Sequence, residues 1–385
     1  MRVLLSCLQS PIRHAVPAYE FWRNYFLYGL REAGHEVVEV PNVDWAEGLT
    51  CADAGALNRW RARTWGAVDD FVRREHACKP IHLFLGYLFP QQVEPAAIRE
   101  LQRKGIPCVN FFCDNIRDFD KVPAAYQPFA LHWVPEFEAL PMYRRAGLPY
   151  IHAAMPCWVP AELRSLPSAE SAQATFVGSA DELRRDLLGR ALDGGADFVI
   201  HGVGWLAEES AAGKSKHDRT IGRILQNQIN LVRERGWIAL TRKLDARLRP
   251  LRSPPILPVH LGSAVSDAEY IRLARESIVT IGVNRVPTAT RSPRKPLVYS
   301  RLRDIEAPML GACYLTEWTA GLERLYELGA EIECYRTADE LSEKLNELRR
   351  DPARRAGMRA RAQTRALSEH SVARSIARIA EHFRL

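Results

Sequence analysis

The sequence predicts an α/β protein built as two parallel-sheet domains, and three observations carry that reading. Apolar, strand-like runs alternate with amphipathic helical runs from Arg2 onward. The alternation breaks over residues 157–173, "CWVPAELRSLPSAESAQ", where prolines and serines lie between two periodic regions. It then restarts at Ala174 with an apolar run, a glycine turn and a helix. A chain of 385 residues also exceeds the size at which single cores stop growing, about 250–300 residues.

Taken in order, "RVLLSC" (2–7) reads as a first strand. "AYEFWRNYFLYGLREAGH" (18–35) repeats apolar residues at helical spacing and stops at Ala-Gly-His, and "EVVEVP" (36–41) follows as a strand. An amphipathic run over about 53–76, the strand "IHLFLGYLF" (81–89), the helix "AAIRELQRKG" (96–105) and the strand "PCVNFF" (107–112) continue the series. "ALHWVP" (130–135), "FEALPMYRRAG" (137–147) and "YIHAAMP" (150–156) complete the first half. Strands separated by helices call for parallel pairing, so residues 1–156 form a Rossmann-like N-terminal domain and 157–173 a linker.

The second half repeats the logic. "ATFVGS" (174–179) is a strand with a glycine turn, "DELRRDLLGRAL" (181–192) a one-faced helix, and "DFVIHGVGW" (197–205) a strand ending at two glycines. A helical insertion over about 206–254 interrupts the pattern. It resumes with "DAEYIRLARE", "SIVTIGV", a helix through "PLVYSRLRDIEAPMLG", "ACYLTEW", "GLERLYELG" and "EIECY". The domain runs from 174 to 367. Three helical stretches close the chain, and the last, 368–385, presents Val372, Ile376, Ile379 and Phe383 on one face, expected to pack back on the N-terminal domain.

Composition narrows the partners. Formal charge is +7, with 47% apolar and 26% charged residues, which describes a globular protein with a surface suited to an anion: a nucleic acid, a phosphorylated small molecule or an anionic membrane. Helix-turn-helix, RNP and zinc-finger patterns are absent and acidic residues are interleaved throughout, so no nucleic acid is expected. The eight cysteines are scattered without C-x-x-C pairs and read as reduced core thiols. No apolar run reaches 18 residues, and a cytoplasmic location is expected. Trp237, Leu240, Leu244, Leu248 and Leu251 recur with Arg and Lys between them; packing on the domain core comes first, and peripheral contact with the inner face of a membrane through about 221–251 second.

In open α/β sheets ligands bind beyond the carboxyl ends of the strands, here expected between the two domains. On one helix, Arg303 and Glu306 lie three apart with Tyr299 one turn earlier; a carboxylate there suits two vicinal hydroxyls and an arginine suits a diphosphate. A plain surface ion pair fits the same spacing. "FVGSADE" lacks G-x-G-x-x-G, which argues against a dinucleotide oxidoreductase.

The run "RLRDIEAPMLGACYLTEW" through "GLERLYELGAEIECYRTADELSEKLNELRRDP" to "EHSVARSIARI", with "ATFVGS", "HGVGW" and "SIVTIGVNR" upstream, resembles the C-terminal domain of CgeB-like glycosyltransferases, the spore-maturation-type branch of the GT-B enzymes. The resemblance covers about half the chain; the N-terminal half is similar more loosely, through "FWRNYFLYGLREAGHEVVEV" and "NFFCDN". It implies two Rossmann-like domains facing across a cleft, the C-terminal one holding a nucleoside diphosphate sugar. Arg303 falls where the diphosphate would be met, Glu306 where the ribose would be, and Glu317 on a position usually acidic in the family. Val298 replaces a glutamate that many retaining GT-B enzymes carry eight residues before the Glu306 position, which leaves the stereochemistry open.

Other donor-side residues are Gly178 and Ser179 in a strand-to-helix turn, Asn284 and Arg285 after a strand, and Lys295, with Arg291 and Arg294 behind them. His14, Glu20 and Asp114 are alternative bases for the acceptor hydroxyl. "DFD" at 118–120 imitates a D-x-D metal motif, but Asp118 and Asp120 read as loop residues; no metal and no cofactor are expected. The expected activity is sugar transfer from a nucleoside diphosphate sugar, UDP-type favoured among the bases, to a glycan, lipid-linked or protein acceptor in cell-surface glycoconjugate synthesis. A nonenzymatic nucleic-acid binder or another nucleotide-sugar enzyme, such as an epimerase, is the alternative.

Overall fold

The structure is a computed structural model that describes residues 1–14, 19–205, 251, 253–288 and 291–385. The predicted insertion therefore falls almost wholly outside the described residues. The chain divides into two compact units, residues 1–160 with 366–385 and residues 161–365.

In the first unit, strands β1 (Arg2–Cys7), β2 (Glu36–Val38), β3 (Leu83–Tyr87), β4 (Cys108–Phe111), β5 (Leu131–Val134) and β6 (Tyr150–His152) form a parallel sheet in the order β2-β1-β3-β4-β5-β6. Every residue of β1, β3, β4 and β5 is buried, as expected of parallel strands covered on both faces, and this is why they read as unbroken apolar runs. Phe26 of the helix Tyr19–Glu32 packs edge-on against Phe111 and Trp133, and Trp22 meets Phe111 at a tilt. The helix Val372–Phe383 also packs against Tyr19–Glu32, close enough that a Cβ on Gly29 would sit 2.5 Å from Val372 Cβ.

The second unit carries β7 (Thr175–Val177), β8 (Val199–His201), β9 (Thr280–Gly282), β12 (Tyr314–Glu317) and β13 (Glu333–Tyr335) as a parallel sheet ordered β13-β12-β9-β7-β8. Its core joins Phe176, Leu187, Phe198, Ile281, Leu315, Leu341 and Leu345. Residues 161–173 belong to this unit: Ser171 donates its N–H to the Glu276 carbonyl, and Glu170 accepts from Arg355 and Arg359 of the helix Pro352–Glu369 at 2.6 and 3.0 Å.

One predicted element is different. The helix expected through residues 296–311 begins only at Arg303 and runs to Met309. Leu297–Val298 is instead β11, paired antiparallel with β10 (Arg285–Val286), so its backbone groups serve a hairpin. The Asp304 carboxylate then accepts the Arg301 N–H at 2.9 Å and closes the turn into the short helix. Tyr299 consequently stands outside the helix, fully buried, with the Arg301 guanidinium 5.1 Å from its ring centre.

Candidate functional site

In the second unit the chain runs from β7 outward to β8 and then returns across β7 to β9, so the order of the sheet reverses between β7 and β9. The crevice at the carboxyl ends of such a pair is where open parallel sheets bind ligands. β7 is followed by Gly178 and Ser179, and β9 by Val283 and Asn284, which lead to Arg285 at the start of β10. The turn after β8 is tightly docked here: the Gly178 N–H donates to the His201 carbonyl at 2.8 Å, and Gly202, at φ +134°, would bring a Cβ within 2.3 Å of the Gly178 oxygen. Only a residue without a Cβ fits that approach.

Two arginines bond to backbone carbonyls at the end of β7. Arg184, in the first turn of the helix Glu182–Asp193, donates to the Ser179 carbonyl at 2.8 Å. Arg303 donates through Nη1 to the Val177 carbonyl at 3.0 Å. Burial pushes the Arg184 pKa down, against the pull of Asp181, and the charges of Arg301 and Arg303, both within electrostatic reach of it, push it further. Such a group lowers its own repulsion by taking an anion, and guanidiniums suit bidentate contact with phosphate oxygens.

A carboxylate completes the cluster. Glu306, with a side chain 13% exposed, accepts from the Tyr270 hydroxyl at 2.5 Å and lies 3.7 Å from Arg303 Nε. The Arg303 guanidinium rests on the Tyr270 ring, 4.2 Å from its centre. Tyr270 comes from the helix Asp267–Glu276, 36 residues before Glu306.

The remaining donor-side residues have other surroundings. Glu317 is buried, and its carboxylate accepts the backbone N–H groups of Asn284 and Arg285 at 3.1 and 3.0 Å and the Arg285 guanidinium at 2.9 and 2.6 Å. It clamps the β9–β10 turn from inside. Asn284 is likewise buried, donating to Thr316 Oγ1, Asp304 Oδ1 and the Glu317 carbonyl. Burial lowers the Arg285 pKa, and the Glu317 carboxylate more than offsets this, leaving it raised. Lys295, Arg291 and Arg294 are exposed in the β10–β11 loop, and Val298 stands opposite Arg285 in that hairpin.

Asp304, fully buried, is the hub that joins these parts. It accepts from Tyr314 at 2.9 Å, Thr316 at 3.0 Å and Asn284 at 3.3 Å as well as from Arg301 N–H. Burial raises its pKa while these donors hold it back.

On the first sheet the order reverses between β1 and β3. After β1, Leu8 adopts φ 52°, a left-handed conformation uncommon for a bulky residue and often found at working sites. Past that turn His14 Nε2 sits 2.7 Å from Asp44 Oδ2, and Asp44 is fixed by accepting the Glu47 N–H at 2.9 Å through Oδ1 and the Trp60 indole N–H at 2.8 Å through its backbone carbonyl. An imidazole oriented by a carboxylate is the arrangement a general base needs. Glu20 lines a neighbouring cavity of about 500 Å³ with Gln9, Ser10, Arg23, Glu39 and Asn42, where Arg23 and Glu39 form a two-bond pair at 2.8 and 2.6 Å. Asp114 lies elsewhere, after β4, where it precedes the four-residue helix Asn115–Asp118 and stands 3.8 Å from Arg117. Asp118 ends that helix and Asp120 is exposed beyond it.

A family model described as "Glycosyl transferase-like" matches residues 182–381, just over half of the chain. The chain belongs to this family. No curated protein sequence matches it. Among solved structures, sucrose-phosphate synthase from Thermosynechococcus elongatus is similar over 100% of this chain and 98% of its own, with 13% identity and a TM-score of 0.58. Anabaena HepE in complex with UDP and glucose aligns over 100% and 99%, with 12% identity and a TM-score of 0.56. A protein described as a UDP-N-acetylglucosamine 2-epimerase from Listeria monocytogenes aligns over 100% and 96%, with 11% identity and a TM-score of 0.50. At these identities the likeness establishes the fold, the GT-B arrangement of two Rossmann-like domains.

Proposed function

We propose that this glycosyl transferase-like chain moves a sugar from a nucleoside diphosphate sugar to a hydroxyl of a glycan, lipid-linked or protein acceptor, within the CgeB-like branch of the family. The observation that carries the reading is the convergence of Arg184, Arg301 and Arg303 with the Tyr270–Glu306 pair at the β7–β9 switch point. Departure of a nucleoside diphosphate leaves negative charge on the β-phosphate, and preorganised guanidiniums stabilise it as it develops. Glu306 accepts from the ribose hydroxyls. His14, oriented by Asp44, takes the proton from the attacking hydroxyl, which favours inversion and agrees with Val298 standing where retaining relatives carry a glutamate.

The arginines supply the neutralising charge, so transfer is expected to persist in a chelator. HepE was solved with UDP and with UDP-glucose, which supports a UDP-type donor. The work fits the cytoplasm, at or near the inner face of a membrane, in cell-surface glycoconjugate synthesis. An epimerase on the same fold remains the second reading because one of the similar structures carries that description; the family match supports transfer over it. Glu306→Gln should weaken donor binding by about 1.5–3 kcal/mol, the range for charge-assisted bonds to a buried partner, as read by calorimetry. A folded variant with unchanged donor affinity would remove Glu306 from the site.

A further inference from the structure

We infer that Tyr270 is a positioning residue of the donor site that sets how strictly the site demands a ribose. The inference rests on the donor-site reading of Arg303 and Glu306. Its observation is geometric: one tyrosine serves both charged groups at once, its hydroxyl on Glu306 Oε2 at 2.5 Å and its ring beneath the Arg303 guanidinium at 4.2 Å.

The pair itself is held apart. Arg303 Nε stands 3.7 Å from Glu306 Oε2, beyond hydrogen-bond range, although residues three apart on a helix close into contact easily. Two restraints keep it so. Arg303 is drawn towards the end of β7 by its bond to the Val177 carbonyl and stands over the Tyr270 ring, while the phenol O–H occupies Oε2, the carboxylate oxygen nearest the arginine. The restraint comes from the helix Asp267–Glu276, a separate element from the one carrying Arg303 and Glu306.

Removing the hydroxyl removes the barrier. Glu306 then turns onto Arg303 and spends its acceptor capacity on the guanidinium, and the arginine in turn is less available to phosphate. A carboxylate so occupied reads vicinal hydroxyls poorly, and discrimination between a ribonucleotide and its 2′-deoxy form collapses along with affinity. A tyrosine that merely packed would lower stability while leaving that ratio intact.

The test titrates UDP and 2′-deoxy-UDP into the full chain as wild type, Tyr270→Phe, Glu306→Gln and the double variant, with thermal melting to confirm folding. Tyr270→Phe keeps the ring and its platform, so it should fold. The expected result is UDP affinity lowered about threefold to tenfold, the worth of one hydrogen bond, and a UDP to 2′-deoxy-UDP preference reduced toward that of Glu306→Gln, with no further loss in the double variant. Equal weakening of both ligands in Tyr270→Phe, or no weakening, would overturn the inference. If the wild type binds none of UDP, GDP, CDP or ADP, the donor-site reading fails and takes the inference with it.

Discussion

His14 and Asp44 show what a single residue contact adds to a sequence reading. The loop after β1 offers a lone histidine as one of three alternative bases, and the 2.7 Å contact with a carboxylate 30 residues away is the observation that favours it in the proposed mechanism. Asp44 is itself restrained by Glu47 and Trp60, so it holds the ring rather than wandering with it. His14→Ala should lower the rate of sugar transfer by about 10²–10⁴-fold with donor affinity unchanged, and Asp44→Asn should lower it less, measured as release of nucleoside diphosphate in the presence of acceptor. A His14→Ala enzyme that turns over at the wild-type rate would return the role to Glu20 or Asp114. At the same scale Glu317 teaches the reverse lesson. Its acidity was legible in the sequence, but its use, to clamp Asn284 and Arg285 from 32 and 33 residues away, depends on β9 and β12 being neighbours.

At the scale of elements, most strands were legible because parallel strands buried on both faces leave unbroken apolar runs, as "RVLLSC", "LFLGY" and "LHWV" do. The helix before Gly311 is shorter than its periodicity predicts, because periodicity does not register that Leu297–Val298 is claimed by a hairpin partner or that Asp304 folds back on Arg301. Tyr270, Arg184, Arg301 and Asp304 were not legible as site residues, since each acquires its role from a partner on another element. The ends of β4 and β5 carry a further consequence of burial. Glu136 accepts from Asn115 N–H and Nδ2 at 2.9 and 2.7 Å, yet burial pushes its pKa up to about 8; His132, with neither ring nitrogen bonded among the described residues, is pushed down to about 3. Folded Glu136 holds its proton from the unfolded value of 4.5 up to 8, so stability falls as pH rises across that range. Folded His132 refuses a proton between 6.5 and 3, so stability falls as pH drops across that one. The melting temperature should therefore be flattest between about pH 4.5 and 6.5, where the two slopes oppose. Glu136→Gln should flatten the alkaline limb and His132→Phe, set among Tyr126, Phe129 and Tyr143, the acid limb; limbs unchanged in both variants would refute the assignment.

For the whole molecule, net charge of +7 by itself fits several anionic partners. What narrows them is where the cations stand: Arg184, Arg301 and Arg303 at a topological switch point, in a chain that belongs to a glycosyl transferase-like family, rather than along one exposed helix or groove. Fold likeness at 11–13% identity cannot choose between transfer and epimerisation, because proteins described as performing each share it. Under the proposed function this basic cluster binds a nucleoside diphosphate. Calorimetric titration of the full chain with UDP, GDP, CDP, ADP and dTDP and their common sugar conjugates, with magnesium and with a chelator, addresses it directly. Saturable binding of one nucleoside diphosphate that survives the chelator and is lost in Arg303→Ala is expected; binding of none of them, alongside steeply salt-dependent binding of a short oligonucleotide, would overturn the assignment.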